Sequence, residues 1–441
     1  MHKVLKLIAF MSIFLFIITF SLPLSAQPKH WRATWWSNPS TTIAIGWTQT
    51  NKGEATIHYG ERNLDTDDQA YPYEFKVNTP ERGKTYWAQL SGLKPNTEYA
   101  FQVQTDDGMS RPLWFRTAAA QPHRMTIVAG GDSRNHRIIR KMANRTVAEL
   151  QPDFVLFGGD YTSSDSKKQW RRWLEDWQLT IAEHGRLIPL IPAQGNHDSK
   201  SRLGRIWGRA HPKFYYGLSF GGQLLRVYTL NSERPAGGAQ GKWLDHDLTL
   251  HKETLIKFAQ YHKPMRPHVR MKSEGQDEYI HWAPLFAKHK VDLAIECDSH
   301  MMKMTYPLWP NRDGEDGFER VGRGTVFIGE GGWGAPLRSV SDQKSWTQMS
   351  ARLNHFFYIE IEKTGVYRIS PIEVTGLSID SQGLSSSIGV KIPHILAQLT
   401  LATPLKVPQV QTKQKRKGIE RGYSPLMLTP LNARFNAKAK E

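Results

Sequence analysis

The chain has 441 residues, 39% of them hydrophobic and only one a cysteine, with a formal net charge of +17. That length accommodates two or three domains, and that composition excludes a disordered, collagen-like or disulfide-stapled protein. The positive balance draws anionic substrates, nucleic acid or anionic lipid without distinguishing among them.

The first 26 residues read as an export leader. His2, Lys3 and Lys6 give a short basic start, residues 7–20 are apolar apart from Ser12 and Thr19, and Leu24-Ser25-Ala26 offers a small residue for cleavage. An uncleaved anchor is the rival reading, but about 14 apolar residues fall short of the roughly 20 that a spanning helix needs. Export without disulfides suits a bacterial periplasm, or an extracellular site, because Cys297 has no partner in the chain.

Residues 28–118 read as all-β. Thr42 to Trp47, Ala55 to Tyr59 and Tyr86 to Leu90 alternate with period two, and turns at 51–53, 81–83 and 106–108 separate strands. The segment Leu93-Lys94-Pro95-Asn96-Thr97-Glu98-Tyr99 resembles the corner of a fibronectin type III sandwich, where a buried Tyr hydroxyl bonds back to the preceding loop. Tyr99, Phe101 and Val103 are expected inside, with Ala100, Gln102 and Gln104 outward. Fifteen Trp and fifteen Tyr suit sheets and aromatic-walled clefts, most of them as packing.

From Arg124 apolar runs alternate with helical stretches, such as the helix expected over 138–150, which predicts an α/β domain over 122–375. Residues 376–441 read as a weakly ordered tail with one short helix near 392–401. Residues 401–441 hold nine Lys/Arg against two Glu, a net of +7. The tail suits a nonspecific anionic surface, and no specific nucleic-acid partner is expected.

Five apolar runs in the α/β domain end at residues able to bind metal: Gly131-Asp132, Gly159-Asp160, Gly195-Asn196-His197-Asp198, Tyr261-His262 and Asp298-Ser299-His300. In open α/β sheets ligand residues gather at the carboxyl ends of strands, so five such ends converge on one point. Carboxylates, imidazoles and one amide oxygen suit Fe, Mn or Zn. Taken singly, each Asp reads more readily as a helix cap and each His as a satisfied core residue; the five ends together favour the metal reading.

Their order resembles that of the calcineurin-like metallophosphoesterases, and within them the purple acid phosphatases, which also carry a fibronectin-like domain first. The resemblance covers most of residues 30–370, with Gly195-Asn196-His197-Asp198 its most specific block. It implies a β-sandwich domain followed by a four-layer αββα metallophosphoesterase domain, and two divalent or mixed-valence metal ions. On it, Asp132 and His300 bind the first metal, Asp160 bridges both, and Asn196 and His262 bind the second. A hydroxide held by the metals then attacks phosphorus. His197 orients substrate or protonates the leaving oxygen, with His268 as a candidate assistant.

The chain departs from that pattern. Asp298 stands where the family carries a ligand His, and Cys297 where it carries Gly. A carboxylate there still binds a second metal and tilts the choice toward Mn or Mg. Ser163 replaces the colour-giving Tyr, Tyr161 is out of register with it, and Arg134 replaces a His of other branches. The first metal therefore lacks a side chain unless Asn135, His136 or water supplies one, while Arg134 suits substrate phosphate. The expected activity is hydrolysis of small phosphate esters, monoester before diester. The alternative is a catalytically impaired phosphate-binding or cell-envelope interaction protein. A polyanion-binding module built on the tail is a third reading. Loops over 202–214 and 307–321 are expected to wall the pocket.

Overall fold

A computed structural model describes residues 28–64, 68–77, 80, 84–181, 183–208 and 211–374. The expected leader over 1–26, the turn at 81–83, and the tail over 376–441 with its short helix lie outside the described residues. No helix among the described residues is long and apolar enough to cross a membrane.

Eight strands build the first domain: β1 (Lys29–Thr34), β2 (Ile43–Thr48), β3 (Ala55–Glu61), β4 (Tyr73–Val77), β5 (Thr85–Leu90), β6 (Glu98–Thr105), β7 (Gly108–Met109) and β8 (Leu113–Arg116). They form two antiparallel sheets: β1-β2-β5, and β4-β3-β6 with β7 and β8 along the other edge of β6. Period-two alternation sends Ile43, Ile45 and Trp47 into the same core as Tyr99, Phe101 and Val103. The Tyr99 hydroxyl accepts the Lys94 N–H at 2.9 Å, which pins the loop before β6. Ala100 is buried, not outward as expected. Its cross-strand partner is Trp114, whose indole N–H donates to His184 O at 2.8 Å, so this face meets the second domain.

Further contacts join the two domains. Gln178 accepts from Trp31 N–H at 2.9 Å and donates to Trp31 O at 3.1 Å. Arg32 Nε donates to Ile206 O at 2.6 Å, and Trp36 Nε1 to Trp207 O at 3.0 Å.

The second domain runs β9 (Met125–Gly130), α1 (Arg137–Leu150), β10 (Phe154–Phe157), α2 (Lys167–Trp177), β11 (Leu190–Pro192), α3 (Lys200–Trp207), β12 (Tyr216–Phe220), β13 (Leu225–Thr229), α4 (Gly238–Leu250), β14 (Ile256–Gln260), α5 (Gln276–His289) and β15 (Leu293–Glu296). It closes with β16 (Met302–Thr305), β17 (Leu308–Glu315), β18 (Phe318–Arg320), β19 (Val326–Gly329), β20 (Thr347–Ala351), β21 (His355–Ile361) and β22 (Tyr367–Glu373). One sheet has the order β11-β10-β9-β21-β22, the other β12-β13-β14-β15-β19-β16-β20. The first is parallel over β11-β10-β9 and antiparallel over β9-β21-β22; the second is parallel over β13-β14-β15-β19 and antiparallel at both edges.

Strand alternation creates the four layers. Ile127, Phe154, Leu156, Val227, Phe258, Leu293 and Phe357 fill one core between the sheets. Val128, Val155 and Phe157 face the other way, against Met142, Trp170, Trp173 and Trp177 of α1 and α2. Tyr228, Ala259 and Ala294 face Leu244, Leu248, Trp282 and Phe286 of α4 and α5. The fold is thus a β-sandwich domain followed by an αββα domain with mixed sheets.

Two of the expected loops have regular structure. Residues 200–207 form α3, whose N-cap Ser199 accepts from Arg202 N–H. Residues 308–320 form the β17–β18 hairpin.

Candidate metal centre

The carboxyl ends of β9, β10 and β11 in one sheet meet those of β14 and β15 in the other. Asp132 and Asp160 each follow their strands with φ 56°, and Asp298 and His300 follow β15 with φ 72° and 59°. Four non-glycine residues in this left-handed region mark a strained cluster held by its surroundings. Gly131 and Gly158 accommodate the departure at Cys297: a Cβ at either would lie 2.6 or 2.3 Å from the cysteine sulfur. Burial pushes the Cys297 thiol up to about 12, so it is a neutral packing group here.

Two sets of three ligand atoms lie within 4.8 Å of one another: Asp160, His262 and Asp298, and Asp132, Asp160 and His300. A further grouping joins Asp132, His262 and Cys297. In the first set the His262 Nδ1–H donates to Gly158 O at 2.9 Å, which turns Nε2 inward. That nitrogen lies 3.0 Å from Asn196 Oδ1, 3.4 Å from Asp160 Oδ1 and 3.7 Å from Asp298 Oδ1. Burial alone would lower the His262 pKa, but the Asp160 and Asp132 charges outweigh it and hold it well above the usual value. Asp160 Oδ2 is buried without a hydrogen-bond partner. A cluster of buried oxygens that raises a histidine in this way calls for a cation, and these donors fit a hard or borderline metal ion. Asp160, Asn196, His262 and Asp298 would hold it.

The second set is arranged differently. His300 donates Nδ1–H to Pro336 O at 2.9 Å, so its Nε2 lone pair points inward, 3.1 Å from Asp132 Oδ1. Arg134, 9% exposed, enters this space. Its Nη2 lies 3.0 Å from His300 Nε2 and its Nε 3.4 Å from Asp160 Oδ2, while Nη1 contacts His197 Nε2. His197 donates Nδ1–H to Ser163 O at 2.7 Å, and its backbone N–H donates to Asp160 Oδ1 at 2.9 Å. Asn135 and His136 belong to neither set; they line an adjacent cleft with Arg137, Arg172 and Ser163. Tyr161 is fully buried and stacks on Phe157, 4.5 Å between ring centres, pointing away from the ligands.

His268 is a correction to the sequence reading. It lies in none of the ligand sets, is fully buried, bonds Thr347 Oγ1 through Nε2 at 2.7 Å, and gives its backbone N–H to Glu330 at 3.1 Å. Beneath the site, Lys303 pairs with Glu296 at 2.7 Å and Glu330 at 2.6 Å. Burial would raise the Glu330 pKa; Lys303 and His268 outweigh it and hold it down to about 2.

The structure also brings in residues that motif spacing does not reveal. Lys272 Nζ pairs with Asp298 Oδ1 at 2.5 Å, and Arg338 Nη1 donates to Asp298 O at 2.9 Å. Asp198, the last residue of the 195–198 motif, accepts the backbone N–H of Asp160. Gly331 packs against Asp132, where a Cβ would lie 1.9 Å from Oδ2. The Gly329-Glu330-Gly331-Gly332 run after β19 is the signal that marks this approach.

Comparisons with known proteins agree with this geometry. Residues 28–117 match the purple acid phosphatase N-terminal domain, and residues 122–302 match calcineurin-like phosphoesterase. Among solved structures, a purple acid phosphatase isolated from yellow lupin (Lupinus luteus) seeds superposes with a TM-score of 0.64 at 15% identity, over 82% of this chain and 74% of its own. PhoD superposes with a TM-score of 0.61 at 10% identity, over 78% and 86%. Two uncharacterised proteins, from two strains of Mycobacterium tuberculosis, are 22% identical over 335 residues, which is 62% of this chain and 61% of their own length. The chain thus carries a purple acid phosphatase N-terminal domain over residues 28–117 followed by a calcineurin-like phosphoesterase domain over residues 122–302.

Proposed function

We propose that this protein is an exported, metal-dependent phosphatase that hydrolyses small phosphate esters, monoesters before diesters. The observation that carries this reading is the convergence of Asp160, Asn196, His262 and Asp298 on one point, with Asp160 Oδ2 buried and without a hydrogen-bond partner. A divalent cation held there supplies Lewis-acid chemistry, drawing charge from phosphoryl oxygens and making water more acidic. The chain's own residues do the rest. The Arg134 fork faces the cluster and suits two phosphoryl oxygens. His197 keeps Nδ1–H on Ser163 O and is the most open side chain of the group, at 32% exposure. Its Nε2 meets Arg134, so it orients the fork that takes the phosphoryl oxygens.

The test is phosphate release from a small monoester by metal-stripped protein, before and after adding Mn, Zn or Fe ions. Activity that appears only with metal, and is lost in Asp160→Asn, supports the reading. Metal-loaded protein that is folded and inert toward monoesters and diesters overturns it. The leader expected over residues 1–26 supports export, and the N-terminal mass of protein recovered outside the cytoplasm tests it. A second reading, a phosphate-binding protein impaired in catalysis, is favoured by the contacts of Arg134 and Lys272 with the candidate ligands.

A further inference from the structure

We propose that the Arg134 guanidinium takes the place of the first metal ion, so that this chain binds a single divalent cation at Asp160, Asn196, His262 and Asp298. The inference rests on the metal-centre reading above and restricts it.

Three observations carry it. The first is geometry. Asp132, Asp160 and His300 form the set that would hold a first ion, and Arg134 already reaches two of its three members, at 3.0 Å from His300 Nε2 and 3.4 Å from Asp160 Oδ2.

The second is the use of lone pairs. His300 commits Nδ1–H to Pro336 O, so Nε2 has one lone pair to give, and the guanidinium takes it. A metal ion sits about 2.0–2.2 Å from a histidine nitrogen. That lone pair serves one cation at a time. A guanidinium does not lose its charge in proteins, so it cannot yield by deprotonating. Its positive charge would also repel an ion within a few ångströms. His197 is committed in the same way, with Nδ1–H on Ser163 O and Nε2 against Arg134, so both histidines act as acceptors that fix the fork.

The third is what surrounds the position. Ser163 stands where the resemblance implies a tyrosine ligand, and its backbone oxygen accepts from His197 Nδ1–H. Asn135 and His136 turn into the adjacent cleft. The first position therefore has three side-chain ligands, two of them engaged by a fixed cation. The second position keeps four donors, and the Lys272 contact on Asp298 leaves the carboxylate further lone pairs. Asp132 Oδ1 and Asp160 Oδ2 are both buried without a hydrogen-bond partner, and Arg134 Nε approaches the second of them at 3.4 Å.

The test reads binding rather than turnover. Metal-stripped protein is titrated with Mn2+ and the bound ion counted per chain by equilibrium dialysis. One ion for the wild type, and a second for Arg134→His, is the expected result. Arg134→Ala, which removes the cation and adds no ligand, is expected to take a second ion more weakly than Arg134→His. Two ions on the wild-type chain overturn the proposal while leaving the metal-centre reading intact. One ion on all three proteins overturns it as well, because the arginine would then not be what excludes the second. No ion on any of them overturns the metal-centre reading itself. Electron paramagnetic resonance of the Mn2+-loaded wild type needs no variant to fold. An isolated Mn2+ signal is expected, and the exchange-coupled signal of a manganese pair contradicts the proposal.

Discussion

The carboxylate of Asp198 accepts the backbone N–H of Asp160 at 2.7 Å and so joins the loops that follow β10 and β11. It also accepts Gly195 N–H at 2.9 Å and Tyr161 N–H at 3.2 Å. Asp160 keeps its positive φ because this brace determines where its backbone points. Asp198→Ala leaves three buried donors without an acceptor, each costing about 1–3 kcal/mol before relaxation. The expected outcome is a lower Tm and a loss of metal affinity of about 10- to 100-fold. Asp198→Asn, which keeps one acceptor oxygen, should fall between. Unchanged affinity in a metal titration of Asp198→Ala would remove Asp198 from the positioning of Asp160.

Tyr99→Phe tests the sandwich separately. The ring stays stacked on Phe115, 5.7 Å between centres, but the Lys94 N–H loses its acceptor. The expected loss is about 1–3 kcal/mol in a denaturant melt. Phosphate release per folded molecule should not change. Activity that falls while the melt is unmoved would tie Tyr99 to the site instead.

The division into a sandwich and an α/β domain was legible because strand alternation is a local property. The fibronectin-corner resemblance of 93–99, continued with period two, puts Tyr99, Phe101 and Val103 in the core, and all three lie there. Ala100 was not, because its burial depends on a neighbouring domain that no local period records. The site divides the same way. Asp132, Asp160, Asn196, His262, Asp298 and His300 stand at apolar run ends, where none is legible singly and the five ends together mark the site. Lys272 comes from the loop between β14 and α5, and its approach to Asp298 is a tertiary fact. His268 was drawn in by nearness to His262 in sequence, but its chain segment turns it into the Glu330 and Thr347 network.

Lys272 and Asp298 make a paired prediction. Asp298 offers a carboxylate to the cation position, and Lys272 places a competing positive charge on its Oδ1 at 2.5 Å. Asp298→Ala should lose most of the bound metal. Lys272→Met keeps the length of the chain and removes the charge, so it should strengthen divalent-cation binding, on the order of tenfold for about 1.4 kcal/mol of relieved repulsion. Asp298→His should shift preference from Mn toward Zn. Equal affinities for Mn and Zn across the wild type and all three variants would show that Asp298 faces no metal.

His355 gives the fold a calculable response to acid. It is 1% exposed at the start of β21, and burial holds its pKa down to about 4 from the usual 6.5, against weaker opposing contacts with Leu353 and Gly329. The folded chain therefore protonates this ring only near pH 4, while the unfolded chain does so near 6.5. Above 6.5 neither form binds the proton, and the stabilisation from keeping His355 neutral is fully present. Between 6.5 and 4 the unfolded chain binds more protons, so stability falls as the pH falls, by up to about 1.4 kcal/mol per pH unit for one proton. His30 and His211 are also held down to about 4 by burial and add to the same slope. Burial holds Asp292 up to about 6, which works in the opposite sense. These groups are common to the wild type and His355→Gln, so they cancel in the difference between the two. Urea melts from pH 7 to 4.5 should give a shallower decline for His355→Gln, by about one proton's worth of slope. Parallel curves for the two proteins would mean that His355 takes up its proton as readily in the folded chain as in the unfolded one.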